Sequence, residues 1–486
     1  MTNQGLKAKT IRGVTWTALD TVLKYGITFV VGIVLARLLT PDEYGLIGIL
    51  TIFIELFNII IDGGFANALI RKQDAEDIDF STVFYTNLLL SICMALLLYC
   101  SAGLIADFFK REELIPLTHI MSSVVVINSL AIVQRTRLTK KIDFKTQTKV
   151  SFFSSVFSGV VGITMAFTGF GVWALVGQQI ASALMTAILL WYVSKWMPKW
   201  EFSWKSFKEM WGFGWKLLLS GIFNSLSSQV HSAVIGKCFS PATLGQYTRA
   251  HQFGSLFSGN FTAVIQRVTF PVLSTIQDDL NRLKSSYKRV IRMTVLPTFI
   301  LMMLLAACAK PLLITLIGEK WDQASVFLQI LCFNMMLFPL HSLNLNAIQV
   351  MGRSDLTLKI NIIKNLLIII PVTLGILFNI YWMLVADVVK GYVCYYLNAY
   401  YSRYLLNYPI EEQVKDIMPS LGVALGCAVP TYLISFILLP SYVLLFIQMI
   451  FGGVLALIIC EKSKLPEYLE LKGIVMPIIN KIIKRK

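Results

Sequence analysis

The chain has 486 residues, of which 56% are apolar and 14% are charged, and its formal net charge is +16. A soluble domain carries about 25% charged residues, so this composition excludes an ordinary soluble globular protein. Apolar runs of around 20 residues recur from end to end, and helices of that length cross roughly 30 Å of hydrocarbon. The composition predicts a polytopic, all-α membrane protein.

The predicted elements begin after a polar, basic N-terminus. The first apolar run is too long for the core of a signal peptide, so we expect this segment to be retained. The pattern of apolar runs predicts about fourteen spans. They cover residues 14–36, 44–70, 81–106, 114–134, 150–168, 172–194, 211–236, 245–270, 292–317, 323–350, 360–379, 381–402, 417–437 and 441–460.

The basic residues cluster in alternate loops. Most of the 43 lysines and arginines fall in segments on one predicted side of the membrane. Among these segments are residues 1–13, 135–149, 195–208 and 282–292 and the C-terminal KIIKRK. The positive-inside rule therefore predicts that both termini are cytoplasmic. It also assigns most of the net charge to topology, which argues against nucleic acid as a partner.

Residues 191–215 carry six of the ten tryptophans with lysines between them. Amphipathic rings and lysines are typical of a headgroup boundary, so we interpret this connector as an interfacial segment. The six tryptophans are Trp191, Trp196, Trp200, Trp204, Trp211 and Trp215.

The sequence predicts no enzyme, no catalytic residue, no cofactor and no metal site. The eight cysteines show no CxxC spacing, and the four histidines show no HxxxH or HExxH spacing. The predicted external loops are all short. A membrane glycan polymerase or ligase would require paired catalytic groups on a large outer loop.

A short hinge is written twice. ARLLTPDEYG (residues 36–45) aligns with GKCFSPATLG (residues 236–245) at an offset of 200. Thr40 is the expected N-cap, Pro41 the first helical residue and Glu43 the partner in a capping box; in the second copy Ser240 and Pro241 keep the cap and the proline. The offset predicts two parallel six-helix repeats. The expected domains are a first lobe (1–194), a connector (195–210), a second lobe (211–404), and two extra spans with a basic tail (405–486).

Six stretches in order resemble one family over about residues 5–460. They are ARLLTPDEYGLIGI, DGGFANALIRKQD, GVWALVGQQI, RVTFPVLSTIQDDLNRLKSSYKR, IGEKWDQASVFLQILC and NAIQVMGRSDL. Together they resemble the polysaccharide transporter branch (Wzx-type lipid-linked oligosaccharide flippases) of the multidrug/oligosaccharidyl-lipid/polysaccharide exporter superfamily.

The resemblance implies two six-helix lobes around a central cavity that opens alternately to each side. It implies transport of undecaprenyl-diphosphate-linked sugar repeat units across the bacterial inner membrane. The implied partners are this substrate, membrane lipids, and the polymerase and other assembly proteins of the pathway, with the chain itself a monomer. Three alternatives stay open: a drug/cation antiporter of the same superfamily, a membrane glycan polymerase or ligase, and an assembly subunit.

Charges inside spans are costly, so they usually face a cavity or a partner. Cations suit a diphosphate, and arginine can donate two hydrogen bonds to one phosphate. We therefore expect these cations to line a lumen. The alternative is that lysines near the membrane surface extend their charged ends into the water, and that Lys24 only neutralises Asp20. The candidate lumen residues are Lys24, Lys216, Arg249, Arg267, Lys364 and Lys390.

A polar face accompanies these cations. A polar stripe at spacings of three and four residues shares one side of a helix and consists of Lys216, Ser220, Asn224, Ser227 and His231. Asn260 lies close to the line that joins Arg249 and Arg267. Carboxylates in a low-dielectric cavity are candidates for coupling transport to H⁺ or Na⁺, against the alternative of structural pairing or helix capping. The candidates for coupling are Asp20, Glu55, Asp62 and Asp387.

Overall fold

The computed structural model describes residue 23 and residues 26–483, without the side chains of residues 260, 261, 263–268, 270–272, 354, 474, 475 and 478–483. Every long element in that part of the chain is a helix, which confirms the predicted all-α fold. The helices are α1 (Gly26–Leu38), α2 (Pro41–Asp62), α3 (Phe65–Arg71), α4 (Asp77–Cys100), α5 (Ala102–Phe109), α6 (Leu114–Lys140), α7 (Phe144–Phe167), α8 (Trp173–Ser194), α9 (Trp204–Cys238), α10 (Pro241–Ser274), α11 (Leu280–Ile317), α12 (Asp322–Met335), α13 (Phe338–Val350), α14 (Ser354–Leu367), α15 (Ile369–Leu377), α16 (Ile380–Leu406), α17 (Ile410–Leu433), α18 (Ser441–Ser463) and α19 (Pro466–Ile483).

Within the described residues, ten helical stretches are long and apolar enough to cross a membrane. The helices α9, α10 and α16 fall outside that set because of their polar and charged residues, although they contain 35, 34 and 27 residues. The ten stretches, these three helices and α1 correspond in order to the fourteen predicted spans. Most of the first half of the first span lies outside the described residues.

Four predicted spans are each divided into two helices. The break between α2 and α3 falls at Gly63 and Gly64, whose φ angles of 53° and 74° are left-handed. Glycine adopts this region without strain, so the pair ends one helix and redirects the next. Helix α9 approaches closely here, because a β-carbon on Gly64 would lie 2.9 Å from the Cα atom of Gly214.

Both copies of the hinge form the predicted caps. The Glu43 amide donates to Thr40 Oγ1 (3.4 Å) and the Thr40 amide donates to Glu43 Oε2 (2.6 Å), which completes the capping box at the start of α2. At the start of α10, the Thr243 amide donates to Ser240 Oγ (3.1 Å). Each copy therefore ends one long helix and begins the next through the same local chemistry.

The C-terminal segment was predicted to be a basic tail, and the structure shows that it forms helix α19. Glu467 is only 5% exposed and accepts a hydrogen bond from Ser420 Oγ of α17 (3.2 Å). Arg289 Nε of α11 donates to Glu470 Oε2 at 2.6 Å. Apolar residues of the same region pack on α17, so polar and apolar contacts both hold this helix on the spans.

The chain forms two compact units, residues 1–245 and 246–486, and the boundary falls within α10. The core of the first unit joins α3, α4 and α6 around residues such as Phe65, Phe84 and Val133. In the second unit, α11 supplies much of the core, with Tyr287 and Phe299 fully buried. The lobes predicted in the sequence analysis were defined by duplicated sequence, whereas these units are defined by compactness. The lobes therefore stay a prediction.

The tryptophan-rich connector has an inner and an outer side. Trp191 Nε1 donates to the Leu130 carbonyl (2.9 Å), and Trp196 Nε1 donates to Asp77 Oδ1 (3.0 Å). Trp196 is 6% exposed and Arg137 lies over its ring, whereas Trp200 is 94% exposed. Because the rings divide between core and surface, only the outer ones are available to a headgroup boundary.

Candidate functional site

Helix α9 carries the predicted polar stripe without interruption. It is continuous from Trp204 to Cys238, so residues spaced by three and four positions share a face as expected. Lys216 and Asn224 are exposed, and His231 is buried. Ser227 Oγ donates to the Phe223 carbonyl (2.8 Å). The stripe therefore changes along the helix from accessible to enclosed.

Glu55 on α2 is tied to α9. Its carboxylate accepts a hydrogen bond from the side-chain amide of Gln229. Both residues belong to the first unit, and Glu55 itself is exposed. The structure thus places one candidate carboxylate beside a neutral donor on the helix that carries the polar stripe.

Asp62 ends α2 at the glycine break and serves the start of α3. Its Oδ1 accepts a hydrogen bond from the Ala66 amide (3.3 Å), so it caps the first turn of that helix. Asp62 and Asn58, one turn apart, also line a cavity of about 640 Å³ within the first unit. Capping and cavity lining are thus combined in one carboxylate.

The cavity is built by α2, α3, α6, α7 and α8, and its lining is rich in hydroxyls and amides. Among these residues only Asp62 was predicted as a site residue, and Asn58 lies one turn from it on α2. The others are neutral or lie at span ends, and a search for charges in mid-span passes over them. The polar residues that were missed are Asn128, Arg135, Thr136, Thr139, Ser151, Ser154, Ser155, Gln179, Ser182 and Thr186.

In the second unit, Asp387 and Lys390 form an ion pair one turn apart on α16. Lys390 Nζ lies 2.5 Å from Asp387 Oδ1, and their side chains are 19% and 12% exposed. Asn334 of α12 donates to Asp387 Oδ2 (2.7 Å). A cation and a carboxylate that were predicted separately are therefore partners, held against a neighbouring helix by an amide.

Lys364 belongs to the same region of the second unit. It is half-buried on α14, a helix that contacts both α13 and α16. His341 Nδ1 and Asn398 Nδ2 are 3.0 Å apart. Lys364 on α14 and Lys390 on α16 therefore belong to the group of helices that holds the buried contact between His341 and Asn398.

Arg249 is 7% exposed on α10, and its Nη1 donates to Gln252 Oε1 (2.7 Å). Arg267 and Asn260 lie further along α10, and their side chains are outside the described part of the structure. Asp20 and Lys24 are also outside the described residues. Their predicted roles stay predictions.

Among the described residues, no group of three or more His, Cys, Asp or Glu side chains is placed to hold a metal ion. The polar chemistry of each unit is instead hydrogen bonding by amides and hydroxyls, with a few lysines and arginines. Such groups bind sugars and phosphates in water-filled sites.

Comparison with known proteins gives the following likenesses. A family model described as "Polysaccharide biosynthesis protein" matches residues 34–326. Teichuronic acid biosynthesis protein TuaB of Bacillus subtilis is 26% identical over 430 residues, covering 86% of this chain and 89% of TuaB. Lipopolysaccharide biosynthesis protein WzxC of Escherichia coli is 25% identical over 375 residues, covering 76% of each chain.

A solved structure of the lipid II flippase MurJ, in an inward closed conformation, has a TM-score of 0.74 to this chain. The likeness covers 92% of this chain and 97% of MurJ, at 15% sequence identity. At this identity it shows the fold alone. With the family match, it confirms the resemblance that the six sequence stretches carry.

Proposed function

This chain belongs to the polysaccharide biosynthesis protein family, and from that premise we propose that it is a flippase. It moves undecaprenyl-diphosphate-linked oligosaccharide repeat units across the inner membrane by alternating access. The exported units serve the synthesis of O-antigen, capsule or exopolysaccharide. The family match over residues 34–326 is the observation that carries this proposal, and the polytopic helical fold supports it.

The cations within the helices support a polyanionic substrate. Arg249 is nearly enclosed, and Lys364 and Lys390 are half-buried within the second unit. The diphosphate that joins lipid to sugar carries one negative charge on each phosphate, so its transit through a hydrocarbon layer needs such counter-charges. In this proposal the lysines and arginines bind the diphosphate, and the neutral polar groups bind the sugars.

Coupling to an ion gradient is a further part of the proposal. Glu55, Asp62 and Asp387 are its described candidates, and each already has a hydrogen-bond donor in the structure. A carboxylate of this kind releases or takes up H⁺ or Na⁺ when its donor moves away. Sealed vesicles that transport equally well without either ion gradient would remove this part.

The drug/cation antiporter is the main alternative. Its substrate would be an organic cation, which a site of lysines and arginines repels. In the second unit Asp387 already pairs with Lys390. A polymerase or ligase would need paired catalytic groups outside the membrane, and no observation favours it.

The decisive experiment deletes the gene and follows the lipid-linked glycan. We expect the glycan to accumulate on the inner leaflet, protected from an impermeant lectin or oxidant in intact spheroplasts, and to become accessible when the gene is restored. Normal surface polysaccharide in the deletion strain, without accumulation, would contradict the proposal. The same strain tests the expected cytoplasmic termini through reporter fusions.

A further inference from the structure

We propose that the cavity in the first unit binds hydroxyl groups of the transported glycan and so selects which glycans are carried. The inference rests on the proposed function and extends it, because it assigns sugar recognition to a definite place. The cavity lies among α2, α3, α6, α7 and α8, and it extends from the middle of α6 and α8 toward helix ends that the charge pattern places near the cytoplasm.

The size of the cavity suits a sugar. Its volume of about 640 Å³ falls within the roughly 300–1,000 Å³ that is usual for small-molecule sites. All the described residues that line it belong to the first compact unit.

The chemistry of the lining is mostly neutral and polar. Hydroxyl and amide side chains both donate and accept hydrogen bonds, which is also the property of sugar hydroxyls. Among the described lining residues there is no aromatic ring, so this lining offers no cation–π contact to an organic cation. The neutral polar set is Asn58, Asn128, Thr136, Thr139, Ser151, Ser154, Ser155, Gln179, Ser182 and Thr186.

One member of this lining, Ser154, has an unused hydroxyl. The residue is 2% exposed, and its Oγ has no hydrogen-bond partner in the described structure. A buried polar atom without a partner is costly, and few are tolerated in a folded protein. Thr136 differs, because its hydroxyl donates to the Ile132 carbonyl (2.9 Å). A ligand hydroxyl would satisfy Ser154.

The charged residues of the lining are balanced. Asp62 and Arg135 are the two charged residues among those described. A site for a diphosphate would need more cations than anions, whereas the described lining of this cavity has one of each. Carboxylates also accept hydrogen bonds from sugar hydroxyls. The cavity therefore suits the glycan better than the diphosphate.

The test compares two probes on the full chain in lipid nanodiscs. One probe is undecaprenyl diphosphate, and the other is the lipid-linked glycan extracted from the deletion strain. Native mass spectrometry gives both dissociation constants. We expect the wild-type protein to bind the glycan probe about tenfold more tightly than undecaprenyl diphosphate, because sugar contacts add to the diphosphate contacts.

The variants are Gln179→Ala and Ser154→Ala, and Gln178→Ala is the matched control. Gln178 is the adjacent amide on α8, but it packs against Gly162 of α7 and does not line the cavity. We expect the first two variants to weaken binding of the glycan probe by roughly three- to tenfold and to leave undecaprenyl diphosphate unaffected. The control should change neither constant.

Three results would overturn the inference. The first is equal affinity of the wild-type protein for both probes. The second is an equal loss of affinity for both probes in the cavity variants. The third is unchanged binding of the glycan probe by cavity variants that unfold at the wild-type temperature. If Gln179→Ala unfolds, Gln179→Asn takes its place. A wild-type protein that binds neither probe would contradict the flippase function itself, which separates the two failures.

Discussion

Gly45 lies so close to Pro241 that a β-carbon on Gly45 would overlap the Pro241 carbonyl group. The reciprocal contact also exists, because a β-carbon on Gly245 would overlap the carbonyl oxygen of Pro41. The two copies of the hinge therefore pack against each other, and each glycine contacts the backbone of the proline in the other copy. This reciprocity gives a physical reason for a hinge that is repeated in register.

The first prediction is that Gly45→Ala destabilises the protein. The new methyl group meets backbone atoms, which cannot rotate away as a flexible side chain can, so we expect a loss of about 1–3 kcal/mol. Thermal unfolding of the purified protein in detergent measures this loss. Gly103→Ala is the control, because its β-carbon would meet no atom within 4 Å. Equal unfolding temperatures of both variants would contradict the packing argument.

The second prediction concerns Arg249. Arg249→Ala should abolish export of the glycan while the amount of protein in the membrane is unchanged, and Arg249→Lys should retain part of the export because it keeps the charge but not the two-point donation. Arg353→Ala is the control, since Arg353 is exposed and pairs locally with Asp355. Surface polysaccharide and an immunoblot give the two readouts. Full export by Arg249→Ala would show that Arg249 does not bind the substrate. The same test applies to Lys24→Ala.

The sequence predicted the helical fold well for identifiable reasons. Apolar runs locate spans because hydrocarbon demands internal hydrogen bonding, and a helix satisfies it locally. The hinge was also predictable, since Thr40, Pro41 and Glu43 act within a single turn. The division of the predicted span 44–70 at Gly63 and the docking of α19 were not predicted. The second depends on Glu467 meeting Ser420, a contact between residues distant in sequence.

The candidate site was harder to predict. A charge within an apolar run is visible in the sequence, so Asp387 and Lys390 were found. Their pairing with each other follows from helical spacing, but the contact with Asn334 needs the tertiary structure. The cavity of the first unit was largely missed, because Ser154 and Gln179 become a polar site only where several helices converge.

The third prediction separates the two sides of the connector. Trp196→Ala should lower the free energy of unfolding by on the order of 3 kcal/mol, because it empties a buried site beneath Arg137. Trp200→Ala should leave stability in detergent nearly unchanged, since that ring is 94% exposed. Denaturant unfolding of both purified variants measures the difference. Similar losses in the two variants would show that the outer ring is not free to serve as an interfacial anchor.

The fourth prediction tests what the ion pair of Asp387 and Lys390 does. Each single neutral variant, Asp387→Asn or Lys390→Gln, leaves one charge without its partner, so we expect each to lose stability on the order of 3 kcal/mol. The double variant removes both charges and should recover most of that stability. If Lys390 also binds the substrate diphosphate, the double variant folds but does not export. Thermal unfolding and surface polysaccharide, measured on all three variants, provide the comparison. Export restored in the double variant would make the pair purely structural, because a lysine needed for the diphosphate cannot be replaced by glutamine.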